Sequence, residues 1–191
     1  RNRTGFLKLL HLLLRQSGGL LDFTHLAKLS DLSRQTVKAH IEALMIANAL
    51  YLLPPFHGGG RREITRRPKG YTFDTGFVTF AKGWSIIQEE NRGLLWEHLV
   101  LDALRSNISP FSFFYWRDKS GREIDFIVTG LENKIHAIEA KINQDNVNLK
   151  NFIVFRGLYP KGRNIVLCPF VDKSYKQSRG DILLEFYSLS E

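Results

Sequence analysis

Asp125 sits inside the apolar run EIDFIV, and fourteen positions later Glu139 and Lys141 sit inside another, IHAIEAKI. Ionised groups at core positions cost on the order of several kcal/mol each to desolvate unless they are paired or bind a metal. Two carboxylates at neighbouring strand positions offer hard oxygen ligands to a divalent cation such as Mg²⁺ or Mn²⁺, which usually keeps several waters. Such a cation polarises a phosphoryl oxygen and lowers the pKa of an attacking water, while a nearby ammonium, Lys141, orients the water or stabilises the phosphate oxygens. The chemistry these residue types offer is metal-assisted phosphodiester hydrolysis. A second reading fits the same residues: a buried ionic network that fixes the sheet and holds no metal.

Side chains alternate along a strand, so Asp125 shares a face with Ile127, and Glu139 shares one with Lys141. A hairpin around TGLENK brings all three charges to one end of a sheet. The preceding segment, SIIQEENRGLLWEHLVLDALRSN, reads as a long amphipathic helix with a break near Gly93. Leu94, Leu101 and Leu104 mark one flank of its apolar arc. Glu97 falls within that arc, while His98, Asp102 and Arg105 lie on the polar side. Strands are expected at FSFFYWR, EIDFIV and KIHAIEAKI, then a helix around DNVNLKNFIVF and strands at NIVLCPF and ILLEFYS. This order makes residues 81–191 an α/β (α+β) domain. FSFFYWR offers aromatic rings for base stacking, but a core strand is the simpler reading. Arg117, Lys119 and Arg122 bracket the DKSG turn, where phosphate contact and a solvated turn fit equally.

Residues 1–80 differ in style. Apolar residues at helical spacing (Phe6, Leu9, Leu10, Leu13, Leu14) predict a first helix ending at Gly18-Gly19. A short helix follows at FTHLAKL with Asp22 as N-cap. A third starts after Ser33 with the stripe Val37, Ile41, Leu44 and Met45. Strands are expected at ALYLLPPF and YTFDTGFVTF, joined by the Gly- and Arg-rich loop GGGRREITRRPKG. The layout predicts a winged helix-turn-helix. Arg34, Gln35, Thr36 and Lys38 open the third helix, where such folds reach base edges. Arg61, Arg62, Arg66, Arg67 and Lys69 lie on or beside the wing, where phosphate contacts position a protein.

Charge divides the same way. Residues 1–80 carry 12 Lys/Arg against 5 Asp/Glu, whereas residues 81–191 carry 15 against 14. The positive field of the first part favours DNA as a partner, and a protein-docking role for the same fold is the alternative. The 191 residues are 43% hydrophobic, enough for a real core. No apolar run approaches membrane-spanning length and no secretory leader is expected, which predicts a cytoplasmic protein. The single cysteine, Cys168, forms no intrachain disulfide and no cysteine-based zinc site.

Glu97, Asp125 and the pair Glu139 and Lys141 together resemble the pattern of the PD-(D/E)XK nucleases: a helix-borne Glu, an Asp on the second core strand, and Glu-x-Lys on the third. More narrowly, RGLLWEHLVLDAL, YWRDKSGREIDFIV and IHAIEAK after a winged helix resemble the C-terminal region of a family of prokaryotic AAA-type ATPases. That resemblance implies a restriction-endonuclease-like fold over 81–191. It also implies catalytic roles for Glu97, Asp125, Glu139 and Lys141, with metal ligation by Asp125 and Glu139 and a second-metal or orienting role for Glu97. Some domains of this kind serve only as binding platforms for nucleic acid or protein. No GxxxxGK[ST] loop is present. ATP is therefore expected to act only through a domain upstream of Arg1, and the absent initiator Met fits a fragment.

Overall fold

Short polar residues open the helices of the first part by accepting hydrogen bonds from otherwise unpaired backbone N–H groups. In the computed structural model, which describes residues 2–58, 67–107, 113–129 and 134–189, the Asn2 side chain accepts from Gly5 N–H to start α1 (Arg3–Arg15). Asp22 accepts from Thr24 and His25 to start α2 (Phe23–Ser30). Ser33 accepts from Thr36 to start α3 (Arg34–Ile46). Strand β1 (Gly19–Leu20) lies between α1 and α2, and β2 (Leu50–Leu53) and β3 (Lys69–Thr72) follow α3. The three strands form an antiparallel sheet in the order β1-β3-β2. Gly70 is required at its centre, because a Cβ there would lie 2.5 Å from the Leu21 side chain. Leu9, Leu13, Leu26, Val37, Ile41 and Leu50 make the core.

One expectation for this part is corrected. YTFDTGFVTF is not one strand: the ladder ends at Thr72, and Asp74 accepts from Gly76 N–H at 2.6 Å to cap a helix, α4 (Thr75–Lys82). The Asp-Thr-Gly stop outweighs the aromatic, β-favouring composition, because the Asp74 carboxylate satisfies a backbone donor that opens the helix. The boundary expected near residue 80 thus falls inside α4. Two compact units are present, one of residues 2–54 and 67–88, the other of residues 55–58 and 89–189.

The second unit begins, in chain order, with α5 (Glu89–Asn107), which runs unbroken through Gly93. Strands β4 (Phe113–Arg117), β5 (Glu123–Thr129) and β6 (Ile135–Ala140) follow, then a 3-10 turn at Gln144–Asn146 and α6 (Leu149–Leu158). Strands β7 (Asn164–Leu167), β8 (Tyr175–Arg179) and β9 (Ile182–Tyr187) complete a six-stranded mixed sheet ordered β4-β5-β6-β7-β9-β8. β4, β5 and β6 are antiparallel, whereas β6–β7 and β7–β9 are parallel. The exposed strand β8 was not expected from sequence; Tyr175 to Gln177 are polar or amphipathic and carry no burial pattern. α6 packs on β5 and β9, and Phe152 and Phe155 meet Trp116, Ile127, Val166 and Phe186 in the core. α5 packs on β6, and the Trp96 indole N–H donates to the Leu167 carbonyl at 2.9 Å, tying the helix to the end of β7. That bond and the β5–β6 ladder position the charged cluster described next. Among the described residues, no helix is long and apolar enough to cross a membrane.

Candidate functional site

Asp125 lies near the middle of β5 and Glu139 near the end of β6. The β5–β6 register pairs Phe126 with Ile138, and one step further along it sets Asp125 opposite Glu139. Asp125 Oδ2 accepts from Ala140 N–H at 2.9 Å and from Lys141 Nζ at 3.0 Å. The same ammonium pairs with Glu139 Oε2. Lys141 follows β6 directly, and its own N–H donates to the Leu167 carbonyl at 3.0 Å, so its backbone is fixed at the end of β7. The two acids and the lysine that the sequence singled out are therefore one cluster.

The cluster is unequal. Glu139 is 2% exposed, and its Oε1 is buried with no hydrogen bond of ordinary geometry; the nearby Asn151 amide donates to the Glu123 carbonyl at 2.8 Å and also acts to lower the Glu139 carboxyl. Burial, reinforced by the Asp125 charge and opposed by Lys141, pushes the Glu139 carboxyl up to about 8. Lys141 is held above the usual lysine value: burial acts to lower it, but the Asp125 and Glu139 charges outweigh that. The Lys141 ammonium thus bridges two carboxyls, of which Glu139 is made harder to ionise by its burial and by the neighbouring Asp125 charge.

Asp125 and Lys141 open onto a cleft of about 450 Å³, whose other wall is the start of α5 with Glu89, Glu90, Gly93 and Glu97. Glu97, half-buried, thus reaches the place the helical arc predicted. Glu89 and Glu90 were missed; Glu90, Gly93 and Glu97 stand at i, i+3 and i+7 on one helix face, a spacing that marks them once the break at Gly93 is discarded. Glu139 does not line the cleft, whereas Lys141, which pairs with it, does. Among the described residues, no three His, Cys, Asp or Glu side chains converge as a metal-holding group. Two carboxylates suffice for a cation that keeps most of its waters, and the buried Glu139 Oε1 opposite Asp125 is an oxygen such an ion would satisfy. The donor set fits a Mg²⁺ or Mn²⁺ ion that keeps most of its waters.

The remaining candidates are scattered. Arg34, Gln35 and Lys38 are exposed on the first turns of α3, and Thr36 is half-buried with its hydroxyl 2.8 Å from that of Ser33. Arg67 pairs with Asp22 at 2.8 Å. Lys69 is 4% exposed at the start of the central strand β3, so the phosphate contact expected of it is not available at the surface. Arg61, Arg62 and Arg66 lie outside the described residues. Tyr115 and Trp116 are fully buried, which makes FFYWR core and not a stacking platform. Arg117 pairs with Glu123 and Arg122 with Asp118, giving the turn cations local partners. His98, expected on the polar side of α5, is buried, and its Nδ1 lies 2.9 Å from the Leu94 carbonyl.

A family described as a domain of unknown function, DUF4143, matches residues 92–189. The chain belongs to the DUF4143 family. A second domain of unknown function, DUF8612, matches residues 1–86. The chain is 27% identical over 128 residues to "Uncharacterized protein Rv2008c" of Mycobacterium tuberculosis and, equally, to "Uncharacterized protein Mb2031c" of Mycobacterium bovis. Those matches cover 65% of this chain, which spans 29% of the length of each relative. Among solved structures, an assembly of Thermococcus gammatolerans McrB AAA+ hexamers with bound McrC aligns over 94% of this chain and 46% of that one, at 14% identity and a TM-score of 0.36. The DUF4143 segment contains Glu97, Asp125, Glu139 and Lys141. Glu89 and Glu90, on the same cleft wall, stand just ahead of it.

Proposed function

We propose that the DUF4143 domain is a PD-(D/E)XK nuclease-like domain that acts on DNA with a divalent cation held by Asp125 and Glu139. The observation that carries this reading is the Asp125–Lys141–Glu139 cluster, set by the β5–β6 ladder at the mouth of a cleft whose far wall presents Glu97. The helix, three-strand meander, helix and parallel strand around it support the same reading. In this scheme the cation supplies Lewis-acid polarisation of a phosphoryl oxygen. Asp125 and Glu139 orient it, Lys141 donates to a phosphate oxygen or positions the attacking water, and Glu97 steers that water or a second ion from the helix side.

In the same proposal, the first unit is a winged helix that contacts DNA through Arg34, Gln35 and Lys38 on α3. Its helix, strand and sheet order supports this, as does the positive balance of residues 1–80. Both units would form the C-terminal region of an AAA-type ATPase. The resemblance of their motifs and the chain's 29% share of its relatives' length support an additional domain in the parent. A binding module without catalysis is the second reading. It is favoured by the Glu89 and Glu90 wall, which repels a polyanion, and by a lysine that already neutralises Asp125.

Cleavage of plasmid and single-stranded DNA in Mg²⁺ or Mn²⁺, compared with Asp125→Ala and Lys141→Ala, tests the first reading. Metal-dependent cutting lost in both variants is the expected result. Salt-sensitive binding without cutting by the wild type supports the binding module; absence of both turns the reading toward protein partners.

A further inference from the structure

We propose that Lys141 is a built-in competitor for the cation, so that the site loads by exchanging the Lys141 ammonium for a divalent ion and the displaced ammonium swings into the cleft. The inference rests on the reading of Asp125 and Glu139 as cation ligands.

Lys141 Nζ is 3.0 Å from Asp125 Oδ2 and is bonded also to Glu139 Oε2, so one positive group already occupies the space between the two acids. An ion approaching from the cleft meets Asp125 and Lys141, which line it, before Glu139, which does not. The Lys141 side chain is 22% exposed and that of Glu139 only 2%, so the ammonium is the more solvent-accessible partner of that pair. An ion that bound both carboxylates with the ammonium in place would face it at close range in a partly desolvated setting, where like-charge repulsion is strong. Exchange removes that conflict.

The displacement needs little of the fold. The Lys141 N–H donates to the Leu167 carbonyl and the Ala140 N–H to Asp125, which holds the backbone on both sides. Side-chain rotation alone can therefore move the ammonium, and the cleft of about 450 Å³ gives it room. Glu97, Glu89 and Glu90 on the facing wall supply new carboxylate partners for it there. In that position the ammonium faces the space a phosphate would enter. A single side chain would thus guard the site without the cation and serve the substrate with it.

A ligand whose competent state is only fractionally populated binds more weakly by that fraction, and a variant that removes the competing state recovers the difference. Mn²⁺ affinity of the full chain, measured by electron paramagnetic resonance of the free ion and by calorimetry, tests the exchange without requiring cleavage. Lys141→Met and Lys141→Gln should each bind about tenfold more tightly or better than wild type. Lys141→Arg, which keeps the charge, should show no such gain, and adding Asp125→Asn to Lys141→Met should abolish it. Far-UV circular dichroism confirms that each variant is folded, and the Gln variant serves if Met proves insoluble. Asp125-dependent Mn²⁺ binding that is unchanged or weaker in Lys141→Met and Lys141→Gln overturns the exchange and leaves the cation-site reading standing. No Asp125-dependent binding in any variant overturns both.

Discussion

Replacing Lys141 by Met keeps most of the stem's volume and removes the one cation between Asp125 and Glu139. The ammonium lies 3.0 Å from Asp125 Oδ2 with side-chain exposures of 22% and 12%, so the pair is sheltered from full solvent screening. Breaking such a pair by deleting one partner costs about 3–5 kcal/mol, because the surviving charge is left uncompensated. The loss should depend on pH in a definite direction. Without Lys141 the carboxylates lose the cation that offsets their burial, and protonation relieves that loss, so the stability gap is smallest in acid and grows as the pair ionises with rising pH. The gap between wild type and Lys141→Met should therefore be about 1 kcal/mol or less near pH 4.5 and approach about 3–5 kcal/mol by pH 8. For a unit of about 100 residues that is a fall in Tm of roughly 12 °C or more at the higher pH. Urea titrations at pH 4.5, 6 and 8, followed by tryptophan fluorescence of Trp96 and Trp116 in the second unit, measure it. A gap that is absent, or the same at all three pH values, refutes the ion-pair account of the cluster.

Glu139→Gln mimics the protonated acid and should change stability by less than about 1 kcal/mol at pH 4, below the unfolded carboxylate value. At pH 9 it should be the more stable protein, since Glu139, raised to about 8, loses its contribution as pH climbs from the unfolded value through that point. Arg156 donates to the Ile135, Tyr159, Lys161 and Arg163 carbonyls and to Asn164 Oδ1, with no carboxylate partner among those contacts, and burial pushes it down to about 10. Arg156→Lys should lose about 2 kcal/mol or more in denaturant titration despite keeping its charge, because an ammonium cannot reproduce the planar fork. If α3 contacts DNA, Arg34→Ala and Lys38→Ala should each reduce the slope of log affinity against log salt by about 1; unchanged slopes in a fluorescence-anisotropy titration would remove these residues from the interface.

Much of the candidate site was legible before the fold. Charged residues inside apolar, β-branched runs conflict with burial, and that conflict alone marked Asp125, Glu139 and Lys141. Strand alternation then paired Glu139 with Lys141, and helical periodicity turned Glu97 inward. The helix starts at Asp22 and Ser33 were equally readable, since capping depends on neighbours two or three residues away. α4 was misread because aromatic and β-branched residues dominate YTFDTGFVTF, although Asp74-Thr75-Gly76 carries the local stop. Strand β8 carried no such signal: its side chains are mostly exposed, and its ladder is formed with β9 at the edge of the sheet.

Residue types and short-range spacing determined which side chains conflict with their surroundings, because desolvation, capping and alternation act over a few residues. Tertiary structure decided how each conflict was resolved. The β5–β6 register set Asp125 against Glu139, and the β6–β7 crossover fixed the Lys141 backbone beside Leu167. Docking of α5 placed Glu89, Glu90 and Glu97 across the cleft. Packing also buried Glu139 and left the Lys141 ammonium as the more solvent-accessible partner of that pair. Desolvation and Coulomb terms depend on distances between segments far apart in the chain, and only the folded arrangement sets those distances.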